Sequence, residues 1–146
     1  MNFLITGFGR SGTLFLSSIM NLSKKWTVLH EPRKSVVEEK VTQKIIDAFS
    51  NNYYGEVHGG MRYIFYDVNV DKRGLIIRDT KEIINSVANR KTIDETIRII
   101  DDLYKSYKNF NKWLNEDPSI VKIEFKKMTS DINYLESIFS TGSFYS

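Results

Sequence analysis

The sequence has no cysteine among its 146 residues. That excludes a disulfide framework, thiolate chemistry and a cysteine-based zinc site. Histidine is nearly as scarce, with two in the chain. There is no HExxH run, no paired-histidine spacing and no aspartate cluster, so no metal is expected. No apolar stretch approaches the roughly 20 residues that cross a bilayer, and no basic leader precedes an apolar segment. The expectation is a cytoplasmic protein with no membrane partner. Charge of one sign is also missing: 21 Lys and Arg stand against 18 Asp and Glu, a net +3. That balance suits an anionic ligand but is too mild and too evenly mixed for a nucleic-acid partner. With 41% apolar and 27% charged residues, the composition is that of a soluble globular chain. Its length predicts one domain over residues 1–146.

What is there begins at the amino terminus. Phe3-Leu4-Ile5 is a short apolar run, Gly7-Phe8-Gly9-Arg10-Ser11-Gly12 a glycine-rich turn, and Thr13-Leu14-Phe15-Leu16 the start of an amphipathic segment. Strand, loop and helix in this order make an anion site: the glycines let backbone N–H groups approach a ligand, and the helix points its positive end into the same loop. The Gly7 to Gly12 spacing fits a nucleotide triphosphatase loop, but Thr13 stands where such a loop needs lysine to reach the outer phosphates. The basic side chain is Arg10, inside the turn.

Further along, Thr13 to Lys24 reads as a helix and Thr27-Val28-Leu29 as a buried strand that runs into His30-Glu31-Pro32-Arg33. Pro32 stops that strand and leaves His30 and Glu31 at its carboxyl end, where open parallel sheets carry their chemistry. Val37 to Phe49 marks another helix. Tyr54 to Gly60 reads as a strand entering a glycine turn, Met61 to Val70 as helix or strand, and Lys72-Arg73-Gly74 as a turn before the buried strand Leu75-Ile76-Ile77. A helix from about Lys81 to Ala88 follows. Thr92-Ile93-Asp94-Glu95 has the capping-box form and opens the longest helix, with Ile93, Ile97, Ile100, Tyr104, Tyr107, Phe110 and Leu114 predicted on its core stripe. Lys105, Lys108 and Lys112 lie off the stripe and are expected in water. Pro118 breaks the chain before a last strand, Ile120 to Phe125, and a last helix, Asp131 to Phe139. The alternation of strands and helices predicts an α/β, P-loop-like fold: three layers, with a central parallel sheet flanked by helices.

A second motif completes the pattern. Arg78 ends a buried strand, and Ser86 lies about two helical turns on, so both can face one ligand group above the sheet. Taken with Gly9-Arg10-Ser11-Gly12-Thr13-Leu14, this resembles the PAPS-dependent sulfotransferases (PAPS is 3′-phosphoadenosine 5′-phosphosulfate), as a short member. The resemblance implies that Gly9, Arg10, Ser11, Gly12, Thr13 and Leu14 hold the 5′-phosphosulfate of PAPS and that Arg78 and Ser86 hold its 3′-phosphate. It implies a transferase moving a sulfuryl group to a hydroxyl or amine of a small-molecule or carbohydrate acceptor. Sulfuryl transfer needs a base for the acceptor proton and positive groups for the leaving phosphate. Arg10 suits the second task. For the base, Glu31 is the first choice, with His30, Glu56 and His58 as rivals. Glu56 has an alternative part in pairing with Arg62, and either histidine has one as a structural hydrogen-bonding group. The chain is shorter than most sulfotransferases, and their basic closing segment is not recognisable in Thr141-Gly142-Ser143-Phe144-Tyr145-Ser146. A non-catalytic nucleotide-binding module and a P-loop kinase are the competing expectations.

Overall fold

The computed structural model describes residues 1–23, 25–32 and 38–140. Lys24, Arg33, Val37 and the closing segment 141–146 lie outside the described residues. The strands are β1 (Asn2–Gly7), β2 (Thr27–His30), β3 (Tyr54–Val57), β4 (Lys72–Ile77) and β5 (Val121–Glu124). The helices are α1 (Thr13–Met20), α2 (Glu39–Ala48), α3 (Thr80–Ala88), α4 (Ile93–Glu116), α5 (Phe125–Ser130) and α6 (Ile132–Ser140), with a 3₁₀ helix over Gly59–Tyr63. Every strand pair is parallel and the order is β2-β3-β1-β4-β5. This is the α/β, P-loop-like fold expected from the alternation of elements.

Side chains alternate across a strand, so the buried sheet feeds two cores. Phe3, Ile5 and Ile76 pack with Leu16 and Met20 of α1, Met128 of α5 and Ile138 of α6. Leu4 and Leu75 join Phe8, Ile83 of α3, and Leu103 and Phe110 of α4 on the other face. β1 is buried along its whole length, with β3 and β4 as its two neighbours. The glycine loop therefore leaves the sheet at its middle. Among the described residues no helix is long and apolar enough to cross a membrane.

Several expectations are corrected. α1 stops at Met20 rather than running to Lys24: Asn21 turns its amide onto β2, accepting from Val28 N–H at 2.8 Å and donating to the Val28 carbonyl. Lys72-Arg73-Gly74 is no turn but the first half of β4, in register with Phe3, Leu4 and Ile5. Arg73 survives there because its guanidinium donates to the carbonyls of Phe65 and Val68. The ambiguous Met61–Val70 stretch is neither long helix nor strand, but the end of the 3₁₀ helix followed by turns. β5 ends at Glu124, and Phe125 starts the short α5. The Thr92 half of the capping box forms, with Thr92 Oγ1 accepting from Glu95 N–H at 3.2 Å. The predicted stripe of α4 holds at Phe110, which is buried, and at Tyr107 and Leu114, which pack against the core, but elsewhere the face differs: Thr96, Leu103 and Ser106 are buried, while Ile93, Ile97 and Tyr104 are more than half exposed. Lys105 is on the outside, paired with Asp101.

Candidate functional site

The site is built where β1 hands over to α1. Gly7 is required by closeness: an added Cβ would lie 2.6 Å from Ser11 Oγ and 3.1 Å from Ile76 backbone oxygen. Gly12 is required twice over, by its φ of 90° and because a Cβ would press on Met128 and Phe125 of α5 at 2.8 to 3.0 Å. Gly12 also sits at the start of α1, where no side chain caps the helix. The first-turn N–H groups thus keep their unsatisfied, positive character. Arg10 has a φ of 69° and Glu31 of 46°, left-handed conformations that cost a non-glycine residue energy and that collect at functional sites.

Above the sheet's carboxyl edge is an open cleft of about 490 Å³. The loop contributes Gly9, Arg10, Gly12, Thr13 and Leu14, and the end of β2 contributes His30 and Glu31. Arg78 and Phe125, just past β4 and β5, close the other side. Four segments that are distant in sequence meet there because all the strands run the same way.

Arg78 is fixed at both backbone and side chain. Its N–H donates to the Tyr107 hydroxyl at 2.9 Å, and the same hydroxyl donates to its carbonyl at 2.8 Å. Burial pushes the Tyr107 phenol above its ordinary pKa, although its hydrogen bond to Arg78 and the nearby guanidinium pull the other way. The Arg78 guanidinium lies 4.1 Å from the centre of the Phe125 ring. Its Nη1 donates to the Arg10 carbonyl at 2.5 Å, and its Nε to Glu82 at 3.3 Å. Arg10 in turn donates from Nε to Ser86 Oγ at 3.2 Å. Asp79 orders the start of α3 by accepting from the N–H groups of Lys81 and Glu82.

At the opposite wall Thr13 Oγ1 lies 3.0 Å from His30 Nε2. The same nitrogen is 4.0 Å from Glu31 Oε1, whose side chain is 45% exposed. Glu31 thus stands at the mouth of the Arg10 loop. Arg33, two residues on, lies outside the described residues.

Four sequence-predicted residues do not line the cleft: Ser86 is tied to it only through Arg10 Nε, and Ser11, His58 and Glu56 are buried. Ser11 is wholly buried beneath the loop, its hydroxyl without a hydrogen-bond partner among the described residues. His58 is 3% exposed, and its Nδ1 accepts from Gly60 N–H at 2.8 Å, capping the 3₁₀ helix. It is a structural group here rather than a base. Glu56 is fully buried in β3 and accepts from the Tyr54 hydroxyl at 2.6 Å. The ion pair of Arg62 is made with Asp102, at 2.8 Å. Two residues that shape the site went unrecognised. The sequence pattern places Phe125 at the end of a strand and Tyr107 on a core stripe. No motif marks either.

Comparison with models of known families and with curated proteins finds no match. Solved structures do resemble the chain. A deoxyadenosine kinase from M. mycoides with bound dCTP shares 16% identity at a TM-score of 0.55, covering 94% of this chain and 100% of that one. A shikimate kinase from Aquifex aeolicus vf5 shares 14% at 0.53, covering 97% and 96%. A thymidylate kinase from Candida albicans shares 12% at 0.51, covering 93% and 90%. At these identities the likeness is one of fold, and it agrees with the P-loop-like architecture.

The Tyr107 clamp is directly testable. Tyr107→Phe removes two hydrogen bonds to a part-buried backbone and lowers stability by about 1–2 kcal/mol in urea unfolding at neutral pH. Because the phenol's pKa is raised in the folded chain, its contribution is complete below the ordinary value and fades as pH climbs through the raised one. The gap between wild type and variant therefore narrows above about pH 10. A gap that widens with pH would contradict this.

Proposed function

We propose that the cleft binds a nucleotide by its anionic groups and that the chain is a transferase moving a sulfuryl group from PAPS to a hydroxyl or amine. The observation that carries this reading is the connected set Arg78–Arg10–Ser86: one guanidinium grips the loop at the Arg10 carbonyl, and the Arg10 side chain reaches Ser86. The loop residues and the two residues assigned to a 3′-phosphate thus form one cationic wall. In the transfer, the acceptor oxygen forms a bond to sulfur while the bond from sulfur to the bridging oxygen breaks. Adenosine 3′,5′-bisphosphate leaves with the bond's electron pair, and the acceptor proton passes to the Glu31 carboxylate. Arg10 and the first N–H groups of α1 face the charge that develops on the leaving phosphate. Leu14, 62% exposed in the cleft wall, offers its backbone rather than a polar side chain.

A phosphoryl-transferring kinase is the second reading, and the three solved structures of like fold, all kinases, favour it. Against it stand Thr13 in the place of the loop lysine and Leu14 in the place of the hydroxyl that a P-loop offers to magnesium. A non-catalytic nucleotide module would keep binding without transfer.

Two sets of variants test the assignment. Ser86→Ala and Arg78→Ala weaken adenosine 3′,5′-bisphosphate about tenfold or more, the scale of a lost hydrogen bond to a charged group. Ser86→Ala changes adenosine 5′-phosphate much less, whereas Arg78→Ala also weakens it because Arg78 braces the loop. Equal losses for the two nucleotides in Ser86→Ala would refute the 3′-phosphate site. Glu31→Gln keeps bisphosphate affinity but cuts sulfate transfer from labelled PAPS about a hundredfold, the usual scale for a positioned base. Unchanged turnover would remove Glu31 from the mechanism.

A further inference from the structure

Thr13 begins α1 at the position where a triphosphate-binding loop carries its lysine, and its side chain is almost buried in the wall of the cleft. Its hydroxyl meets His30 Nε2 at 3.0 Å. His30 is itself held at the end of β2 by its register with Val57, and the Glu31 N–H that follows donates to the Val57 carbonyl at 3.3 Å. The imidazole is about a quarter exposed and lines the cleft. One ring nitrogen therefore faces both the start of the anion-binding helix and, at 4.0 Å, the Glu31 carboxylate.

A nitrogen in that position can accept or donate, according to tautomer and protonation. When Nε2 is an acceptor, it takes the Thr13 hydroxyl hydrogen, and the cleft sees only oxygen lone pairs, which repel an anion. When the ring is protonated, Nε2–H donates to Thr13 or leans toward Glu31. The Thr13 hydrogen is then released toward the cleft, and a positive charge arrives beside the loop. The other charged groups around the cleft are the Glu31 carboxylate and the Arg10 and Arg78 guanidinium groups.

We propose that His30 is a positioning residue that controls the Thr13 hydroxyl, so that the loop grips a divalent oxyanion more tightly when His30 is protonated. This rests on reading the loop as an anion site, but not on the identity of the nucleotide. It gives the loop a charge that comes and goes, in the region where related loops carry a permanent lysine. It also separates His30 from Glu31: one sets the donors, and the other takes the acceptor proton.

Inorganic sulfate is the probe, because it stays divalent across the pH range in which an imidazole titrates. Its dissociation constant is measured by calorimetric titration of the full chain at about pH 5.5 and about pH 8. The wild type binds about three- to tenfold tighter at the lower pH, the scale of one hydrogen bond gained with a charge. His30→Gln abolishes the ratio, since an amide cannot switch. Thr13→Val, which leaves the imidazole in place, shrinks the ratio to what charge alone supplies. A wild-type ratio near one overturns the proposal. So does a ratio that persists in His30→Gln, because it would then belong to His58, the other histidine of the chain. A full ratio in Thr13→Val overturns the hydroxyl's part. Absence of sulfate binding at either pH would overturn the anion-site reading as well. A nucleotide preference other than the one proposed above leaves the pH effect standing.

Discussion

The hydrogen bond from Arg78 to the carbonyl of Arg10 is the constraint on which the rest of the site depends. A left-handed arginine costs on the order of 1–3 kcal/mol, and such a conformation persists only where its surroundings over-determine it. Here they do. Arg78 holds the Arg10 carbonyl, Ser86 holds the side chain, and Gly12 seats the next turn against Phe125 and Met128. Arg78 is in turn clamped by Tyr107 from the long helix α4 and stacked on Phe125 from α5. The loop's shape is thus written by four elements beyond its own, which is why a short glycine turn can be rigid.

Rigidity of this kind has a chemical meaning. N–H groups and guanidinium donors that are already aimed need little reorganisation when charge develops in front of them. The parallel sheet supplies the geometry: β1, β2, β4 and β5 all end at one edge, so a cationic wall of Arg10 and Arg78 faces Glu31 and His30 across a single cleft. A cation wall opposite a carboxylate suits transfer of an anionic group with loss of a proton from the acceptor. The fold alone, shared with kinases of low identity, is silent on whether that group is phosphoryl or sulfuryl. In the proposed reading, the side chains at positions 10, 13 and 14 carry the distinction.

Most of this frame was legible in the sequence because it rests on local rules. Glycine spacing after an apolar run marked the loop, Pro32 marked the end of β2, and a continuous apolar run ending in Arg78 marked the edge of β4. The Thr92–Glu95 cap was read correctly for the same reason. What escaped was set by tertiary packing. The start of β4 looks like a turn, and becomes a strand only because β1 is long enough to pair with it. Ser11 looks like a ligand donor, and is buried because the loop folds it back over Gly7. His58, beside two glycines, looks accessible, but its imidazole is spent on capping the 3₁₀ helix. On α4 the core is met by Leu103 and Phe110, seven residues apart, which leaves Ile93, Ile97 and Tyr104 of the apolar series more than half exposed. No local rule announces the Tyr107 clamp, since it is a contact between residues 29 positions apart.

The central claim is that the cleft is built for a nucleotide carrying a separate 3′-phosphate rather than for a triphosphate chain. Calorimetric titration of the chain with adenosine 3′,5′-bisphosphate, and separately with ATP and magnesium, tests it most directly. The account predicts the bisphosphate to bind more tightly, without need of magnesium, because Arg78 and Ser86 supply its second anion site and the loop lacks the lysine that a triphosphate requires. Tighter binding of magnesium–ATP would contradict it and assign the cleft to phosphoryl transfer.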